Sequence, residues 1–493
     1  MRAKQGEEVG SGQGAALLDH CSGESSDSLL DRDRARGRKR EYVTLTTQLG
    51  ATANLLNALI GTGLLSMPRG FADAGILLGT LSIAVIGFFS YRSATLIVQC
   101  KQLLPGGSGT LLHIAGTSLS PSIGRPIAAS VLVLSQLGLA ASYLTFLAET
   151  LHTLSGLETH TSLALVFVPA VALQLIRRME ALAPISVLSS VALFFSIVAV
   201  VVHGVHLVKR HSDAGGEPDW SSGSNLKGLL IAPTWPSFFG FASLSFCCHA
   251  SVTAIAESVE AAPGNIDYVH AVGDGHREEA EELNEWSLLG SSPGEHVEHK
   301  QAQDLARFSK AALISFFTAG ALYTGAGLSG VALYGRHVAP ILTEAFGHGF
   351  WGVSIRIAMS LVCITTLPVQ LYPVVEQFEW QLIGDALLQP SPSWQIVCKR
   401  NAIRTCCVLV PLLFSLLLPC FSQIVSLVGS LAIGVLVFIL PPLFYAGINL
   451  TRSGRTGTSI ENSLTVLSVL IGSAGAITGA LVTVRDLMNG ACD

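Results

Sequence analysis

The chain has 493 residues, of which 50% are apolar and 13% charged, with a mean hydropathy of +0.54 and a formal net charge of −5. This composition is too apolar for an ordinary soluble protein of such length, so it predicts an integral membrane protein in a lipid bilayer. The negative net charge gives no reason to expect a nucleic-acid partner.

Residues 1–44 precede the first apolar segment and are rich in Gly, Ser, Asp and Arg. They lack the apolar core of a secretory signal, so we expect a disordered tail and no cleavable signal peptide. The tail ends in a basic cluster close to the membrane, which favours a cytosolic N-terminus by the positive-inside rule. The cluster consists of Arg32, Arg34, Arg36, Arg38, Lys39 and Arg40.

Beyond the tail, apolar residues fall into blocks of roughly 18 to 25, the helix length that crosses about 30 Å of hydrocarbon. The expected fold class is therefore an all-α membrane protein with about eleven transmembrane helices. The eleven predicted segments are residues 46–68, 75–98, 125–150, 161–176, 183–208, 229–256, 309–334, 351–376, 403–420, 422–448 and 462–484.

The first segment carries two glycines in mid-membrane, Gly61 and Gly63, on either side of Thr62. Each glycine is about 1 kcal/mol less favourable than alanine in a helix. Backbone groups that a break frees in lipid must find partners inside the protein or in a wet cavity. We therefore predict a broken helix that lines a cavity. The alternative is that both glycines only allow close helix packing.

The sixth segment has a second unusual centre, from Ser245 to His249, and Glu257 follows near its cytosolic end. A histidine inside a membrane is rare, so His249 is expected to face the bundle interior, where it could bind substrate or exchange a proton. The alternative is an imidazole satisfied by a neighbouring serine or carbonyl. We predict that this helix, too, is broken near Ser245 to His249.

The two interrupted segments stand five apart in a set of eleven. Two groups of five helices and one additional helix are the number expected for an inverted repeat. In such transporters two discontinuous helices meet near the midplane, where half-helix N-termini attract a substrate carboxylate and freed carbonyls hold a cation.

Residues 257–307 form the longest internal hydrophilic stretch, with five glutamates between 278 and 285. A solvated cytosolic loop is the simpler interpretation, and a regulatory segment that binds a partner is the alternative. The ten cysteines lack the spacing of metal ligands or of a disulfide framework, so no bound metal is expected from them. The sequence thus predicts an N-terminal tail at 1–44, a transmembrane domain at 45–485 and a short C-terminal tail at 486–493.

Four motifs in the right order carry a resemblance to one known family. They run from Asn57 to Pro68 in the first segment, Phe246 to His249 in the sixth, Thr365 to Pro373 in the eighth, and Gly429-Ser430 with Phe438 to Tyr445 in the tenth. Over about residues 45–485 the chain resembles the amino acid/auxin permease family, in its vacuolar amino acid transporter and sodium-coupled neutral amino acid transporter branches.

This resemblance implies a LeuT-like fold, a 5+5 inverted repeat plus one helix, and ion-coupled transport of neutral or other small amino acids without enzyme activity or an organic cofactor. N–H groups near the first break would bind the substrate carboxylate, and carbonyls near the second its ammonium. The expected substrate-binding residues are Gly61, Thr62, Gly63, Ser245, Phe246, Cys247, Cys248 and His249.

Two ions, sodium and the proton, are candidates for the coupling ion. Asn57 corresponds to a sodium-site asparagine of the sodium-coupled branch, and Thr365 or Thr366 lies near that branch's other ligands, with oxygen donors that suit sodium. The vacuolar branch implies a proton gradient instead, for which His249 is the titrating candidate. We favour protons, and an acidic internal membrane, vacuolar or lysosomal, over the plasma membrane.

Two further functions differ in class from a transporter. A transporter-like sensor would keep the amino acid site and signal through the 257–307 loop without flux. A membrane-embedded enzyme that uses His249 lacks support, because no second acid, base, nucleophile or metal cluster accompanies it in the helices. The residues do not select the amino acid, the direction of transport or the oligomeric state.

Overall fold

The computed structural model describes most of the transmembrane part of the chain. The described residues are 48–104, 110–176, 188–189, 191–199, 202, 206, 209, 213, 234–260, 293–334, 349–388, 393–417, 421–452 and 459–489. The N-terminal tail and most of the acidic loop lie outside them, so the predictions of a disordered tail and a regulatory loop stay predictions.

Within the described residues every regular element is a helix. In chain order the α-helices are α1 (Gln48–Leu59), α2 (Thr62–Ala74), α3 (Ile76–Leu103), α4 (Leu111–Ser118), α5 (Gly124–Ser155), α6 (Thr159–Gln174), α7 (Phe238–Ser245), α8 (Val252–Glu260), α9 (Pro293–Tyr334), α10 (Phe350–Ile383), α11 (Trp394–Leu417), α12 (Phe421–Val428), α13 (Leu440–Arg452) and α14 (Ser459–Met488). Two π-helical stretches, Gly429–Ile433 and Val435–Ile439, join α12 to α13.

Seven helical spans in the described residues are long and apolar enough to cross a membrane, and the bent pair α1 and α2 adds an eighth. These eight correspond to the predicted segments 1, 2, 3 and 7 to 11. Segment 4 is the shorter helix α6, segment 6 is divided between α7 and α8, and segment 5 lies partly outside the described residues.

The acidic loop is shorter than the sequence analysis predicts, because α8 continues to Glu260 and α9 already begins at Pro293. The first turns of α9 carry Glu, Gln, Lys, Ala and Leu, which are good helix formers. A charged helical extension therefore projects beyond the apolar part of the seventh segment.

Glycines let the sixth and tenth segments touch backbone to backbone. A Cβ atom on Gly429 would lie 2.0 Å from the carbonyl oxygen of Gly240, and one on Gly240 would lie 2.1 Å from that of Ser426. No larger side chain fits at either position without separating the helices. This close packing of small residues, typical of membrane helices, holds α7 in the middle of the bundle.

A buried ion network joins three helices, α6, α10 and α11. Arg400 and Arg404 of α11 both contact the carboxylate of Glu379 on α10, at 2.9 and 2.7 Å. Arg404 also donates to the carbonyls of Gln174 and Ile176, at 3.0 Å each. The C-terminal end of α6 is thereby tied to α10 and α11.

Candidate functional site

The first break lies at Ile60 and Gly61, between α1 and α2, whose axes differ by 56°. Gly61 is the N-cap residue of α2, and no side chain caps this helix. In its first turn the Leu64 N–H donates to the Gly61 carbonyl at 3.2 Å, and no acceptor in the described residues binds the N–H groups of Thr62 and Gly63, as at anion-binding helix N-termini. The predicted break is confirmed, although Gly63 lies inside α2 and not at the bend itself.

The second break runs from Phe246 to Ser251, between α7 and α8. Cys247 N–H donates to Leu244 O at 3.2 Å, and Ser251 N–H donates to Cys248 O at 3.0 Å. Among the hydrogen bonds of the described residues, none uses the carbonyl of Phe246 or Cys247. The break predicted near Ser245 to His249 is confirmed, and within the described residues it leaves the carbonyls of Phe246 and Cys247 as available acceptors.

The two breaks meet. A Cβ atom on Gly63 would lie 2.3 Å from the Ser245 hydroxyl oxygen and 2.8 Å from the Ser245 Cα atom. A Cβ atom on Gly61 would lie 2.9 Å from the Tyr143 hydroxyl of α5. Both glycines thus allow neighbouring helices to pack closely, as the packing interpretation predicts. They do so at the point where the broken helices converge. The Thr62 side chain lies outside what the structure describes.

His249 is fully buried, as the sequence analysis expects of a residue that faces the bundle interior. Ser90 of α3 lies beside it, with its backbone carbonyl toward the ring. Neither ring nitrogen of His249 nor the Ser90 hydroxyl makes a hydrogen bond within the described part of the chain. Because the Ser90 carbonyl lies toward the ring, the alternative of an imidazole satisfied by a neighbouring carbonyl stays open beside that of a substrate or proton site.

The Phe246 ring packs in an aromatic cluster behind the second break. It stacks on Phe316 at a centroid distance of 5.9 Å and meets Tyr323 edge to face at 5.2 Å. The side chains of Cys247 and Cys248 are buried as well. The described contacts of Phe246 are packing contacts that shape the wall of the site.

The sequence analysis missed three polar residues that the tertiary structure brings to the breaks. Tyr323 of α9 places its hydroxyl 2.7 Å from the Leu59 carbonyl and 2.8 Å from the Ser245 carbonyl. Tyr143 lies against Gly61, and Gln370 of α10 faces its hydroxyl. A buried tyrosine hydroxyl usually finds a hydrogen-bond partner, so each tyrosine in mid-segment was a signal that could have been used.

The three oxygen donors expected for sodium lie on two helices, Asn57 on α1 and both threonines on α10. The Thr365 hydroxyl contacts carbonyls of its own helix, at Leu361 and Val362. The Thr366 hydroxyl lies 3.4 Å from that of Ser189, and the Asn57 side-chain oxygen is buried with no hydrogen-bond partner in the described residues. The sodium site expected at Asn57 with Thr365 or Thr366 stays a prediction. In the same residues no group of three or more His, Cys, Asp or Glu side chains could hold a metal ion.

The family follows from comparison with known proteins. A family model described as transmembrane amino acid transporter protein matches residues 45–271 and 297–485. The chain belongs to this family. It is a multi-pass membrane protein of an amino acid transporter family, not an enzyme, and the resemblance to the amino acid/auxin permeases is confirmed.

One curated relative extends over nearly the whole chain, and another over less than half of it. Amino acid transporter AVT3A of Arabidopsis thaliana is 25% identical over 458 residues, which is 90% of this chain and 91% of the relative. Vacuolar amino acid transporter 5 of Schizosaccharomyces pombe is 25% identical over 221 residues, 42% of this chain and 48% of the relative.

A solved structure shows the fold. The inward-facing conformation of Mhp1 is 13% identical in sequence and superimposes with a TM-score of 0.52 over 90% of both chains. At this identity the similarity concerns the fold alone. It confirms the LeuT-like architecture expected from the sequence motifs.

Proposed function

We propose that this protein moves neutral or other small amino acids across a membrane by alternating access, driven by a proton gradient. The observation that carries the proposal is the contact of the two helix breaks at Gly63 and Ser245. It brings an uncapped helix N-terminus and free carbonyl groups to one buried place. A zwitterion needs both, because its two charged ends carry opposite signs.

The substrate carboxylate is assigned to the first turn of α2, where N–H groups and the positive end of the helix dipole face the break. The ammonium is assigned to the carbonyls of Phe246 and Cys247, which accept no other hydrogen bond in the described residues. Backbone groups thus recognise what all amino acids share. Side chains around the breaks are left to select among them.

Access to this place differs between the two halves of the first segment. In α1 Ala53 and Asn54 are exposed and Asn57 is half-buried, on one face that leads toward Gly61. In α2 Leu64 and Leu65 are buried. This asymmetry supports a pathway along α1, on the side that the basic tail assigns to the cytosol. In alternating access, the pathway along α1 would then close while a pathway along α2 opens on the other side of the membrane.

Two observations support protons over sodium. His249, a side chain that can titrate, is buried at the second break, and one relative is named a vacuolar transporter. We therefore assign the protein to an acidic internal membrane, vacuolar or lysosomal, with its N-terminus in the cytosol. Imaging of a tagged chain at native expression tests the location, and a plasma-membrane signal would contradict it.

Coupling is tested by labelled alanine or glutamine flux into proteoliposomes, under separately imposed pH and sodium gradients. We expect the pH gradient to drive uptake and His249→Ala to flatten its pH dependence between about pH 5 and 8, where an imidazole ordinarily changes charge. Asn57→Ala and Thr366→Ala serve as the matched variants for sodium. We expect both variants to remain indifferent to the sodium gradient, as the wild type is.

The opposite pattern would assign coupling to sodium. Asn57→Ala and Thr366→Ala would then need a higher sodium concentration for half-maximal uptake, because each removes an oxygen ligand. His249→Ala would alter only the affinity for substrate. Flux indifferent to both gradients would leave a facilitator or an exchanger. Substrate binding to purified protein without any flux would indicate the sensor.

A further inference from the structure

Tyr323 lies where the C-terminal ends of two half-helices converge. Leu59 is the last residue of α1 and Ser245 the last residue of α7. Their carbonyl oxygens lie 2.7 and 2.8 Å from the same tyrosine hydroxyl. The side chain is fully buried, and the edge-to-face contact with Phe246 at 5.2 Å fixes its ring.

Both carbonyls favour a positive charge or a hydrogen-bond donor beside them. The last carbonyls of a helix have no partner within it and carry the negative end of the helix dipole. Two such ends that point at one buried position attract a positive charge, and in transporters with broken helices freed carbonyls can hold a cation. A tyrosine hydroxyl has one proton to donate, so both carbonyls must share it.

We propose that the Tyr323 hydroxyl occupies the position between the half-helices that a small monovalent cation would otherwise take, and that it thereby positions α1 against α7. Tyr323 is then a positioning residue whose proton replaces a bound ion at this point. The inference deepens the proposed function and rests on it, since it explains why sodium is not needed here. It predicts that removal of the hydroxyl exposes a latent cation requirement.

The test compares Tyr323→Phe with Tyr91→Phe. Both changes delete one hydroxyl, and both rings contact the same aromatic cluster, because Tyr91 of α3 packs on Phe316 at 6.2 Å. Flux of a labelled amino acid is measured in choline, lithium and sodium chloride at equal ionic strength. In choline we expect the flux of Tyr323→Phe to be roughly tenfold lower than that of wild type, because two buried carbonyls are left without a donor. In sodium or lithium its flux should rise several-fold above the choline value.

Wild type and Tyr91→Phe should give the same flux in all three salts. The proposal would be overturned by Tyr323→Phe flux equal to wild type in choline, or by an equal loss in all three salts. Thermal unfolding of the purified proteins gives a readout that does not depend on transport. Sodium should raise the melting temperature of Tyr323→Phe and leave that of wild type unchanged. If wild type carries no amino acid, the proposed function fails, but this salt-specific stabilisation still decides the role of Tyr323.

Discussion

Replacement of Gly63 by alanine is expected to lower amino acid flux roughly tenfold or more. The new Cβ atom would lie 2.3 Å from the Ser245 hydroxyl oxygen and 2.8 Å from the Ser245 Cα atom. The hydroxyl can rotate away, but the backbone atom cannot. The two broken helices must therefore separate at the point where we place the substrate, and overpacking of this kind costs about 1–3 kcal/mol.

Gly325→Ala is the matched control for this prediction. Gly325 also lies within a transmembrane helix, α9, but a Cβ atom there would meet nothing within 4 Å. Its flux should equal that of wild type. The double variant Gly63→Ala with Ser245→Gly should recover part of the activity, because the Ser245 side chain supplies two of the three close contacts. Undiminished flux in Gly63→Ala would contradict the close approach of the breaks.

The largest loss of stability is expected from Arg404→Ala. Its guanidinium donates to Glu379 at 2.7 Å and to the carbonyls of Gln174 and Ile176 at 3.0 Å. The arginine and glutamate side chains are only 4% and 6% exposed. Loss of one partner of a buried pair leaves an under-compensated charge, which typically costs about 3–5 kcal/mol. Because Arg400 still contacts Glu379, we expect the lower end of this range.

Arg400→Ala gives the comparison, since it removes a contact to the same carboxylate. Arg400 is 20% exposed and makes no bond to the α6 carbonyls in the described residues. Its loss should cost roughly 1 kcal/mol. Thermal unfolding of both purified variants in the same detergent measures the difference. Equal melting temperatures for the two variants would show that the carbonyl contacts of Arg404 do not secure α6.

The sequence by itself determined the class of protein, most of the spanning segments and both breaks. These properties depend on short stretches of chain. Insertion into a bilayer follows the summed hydropathy of about 20 consecutive residues, and a helix is weakened locally where Gly61 and Gly63 stand in it. For the same reason the four motifs identified the family before any contact was known.

Only the tertiary structure decided which side chains surround the breaks. Tyr323 lies 264 residues beyond Leu59 and 78 beyond Ser245, and no local pattern brings those three groups together. The same holds for Ser90 beside His249, for Ser189 beside Thr366 and for the ion network of Glu379. Such contacts depend on how each helix is rotated about its axis and where it crosses its neighbours. Interhelical packing of the whole chain sets both, and neither can be read from hydropathy.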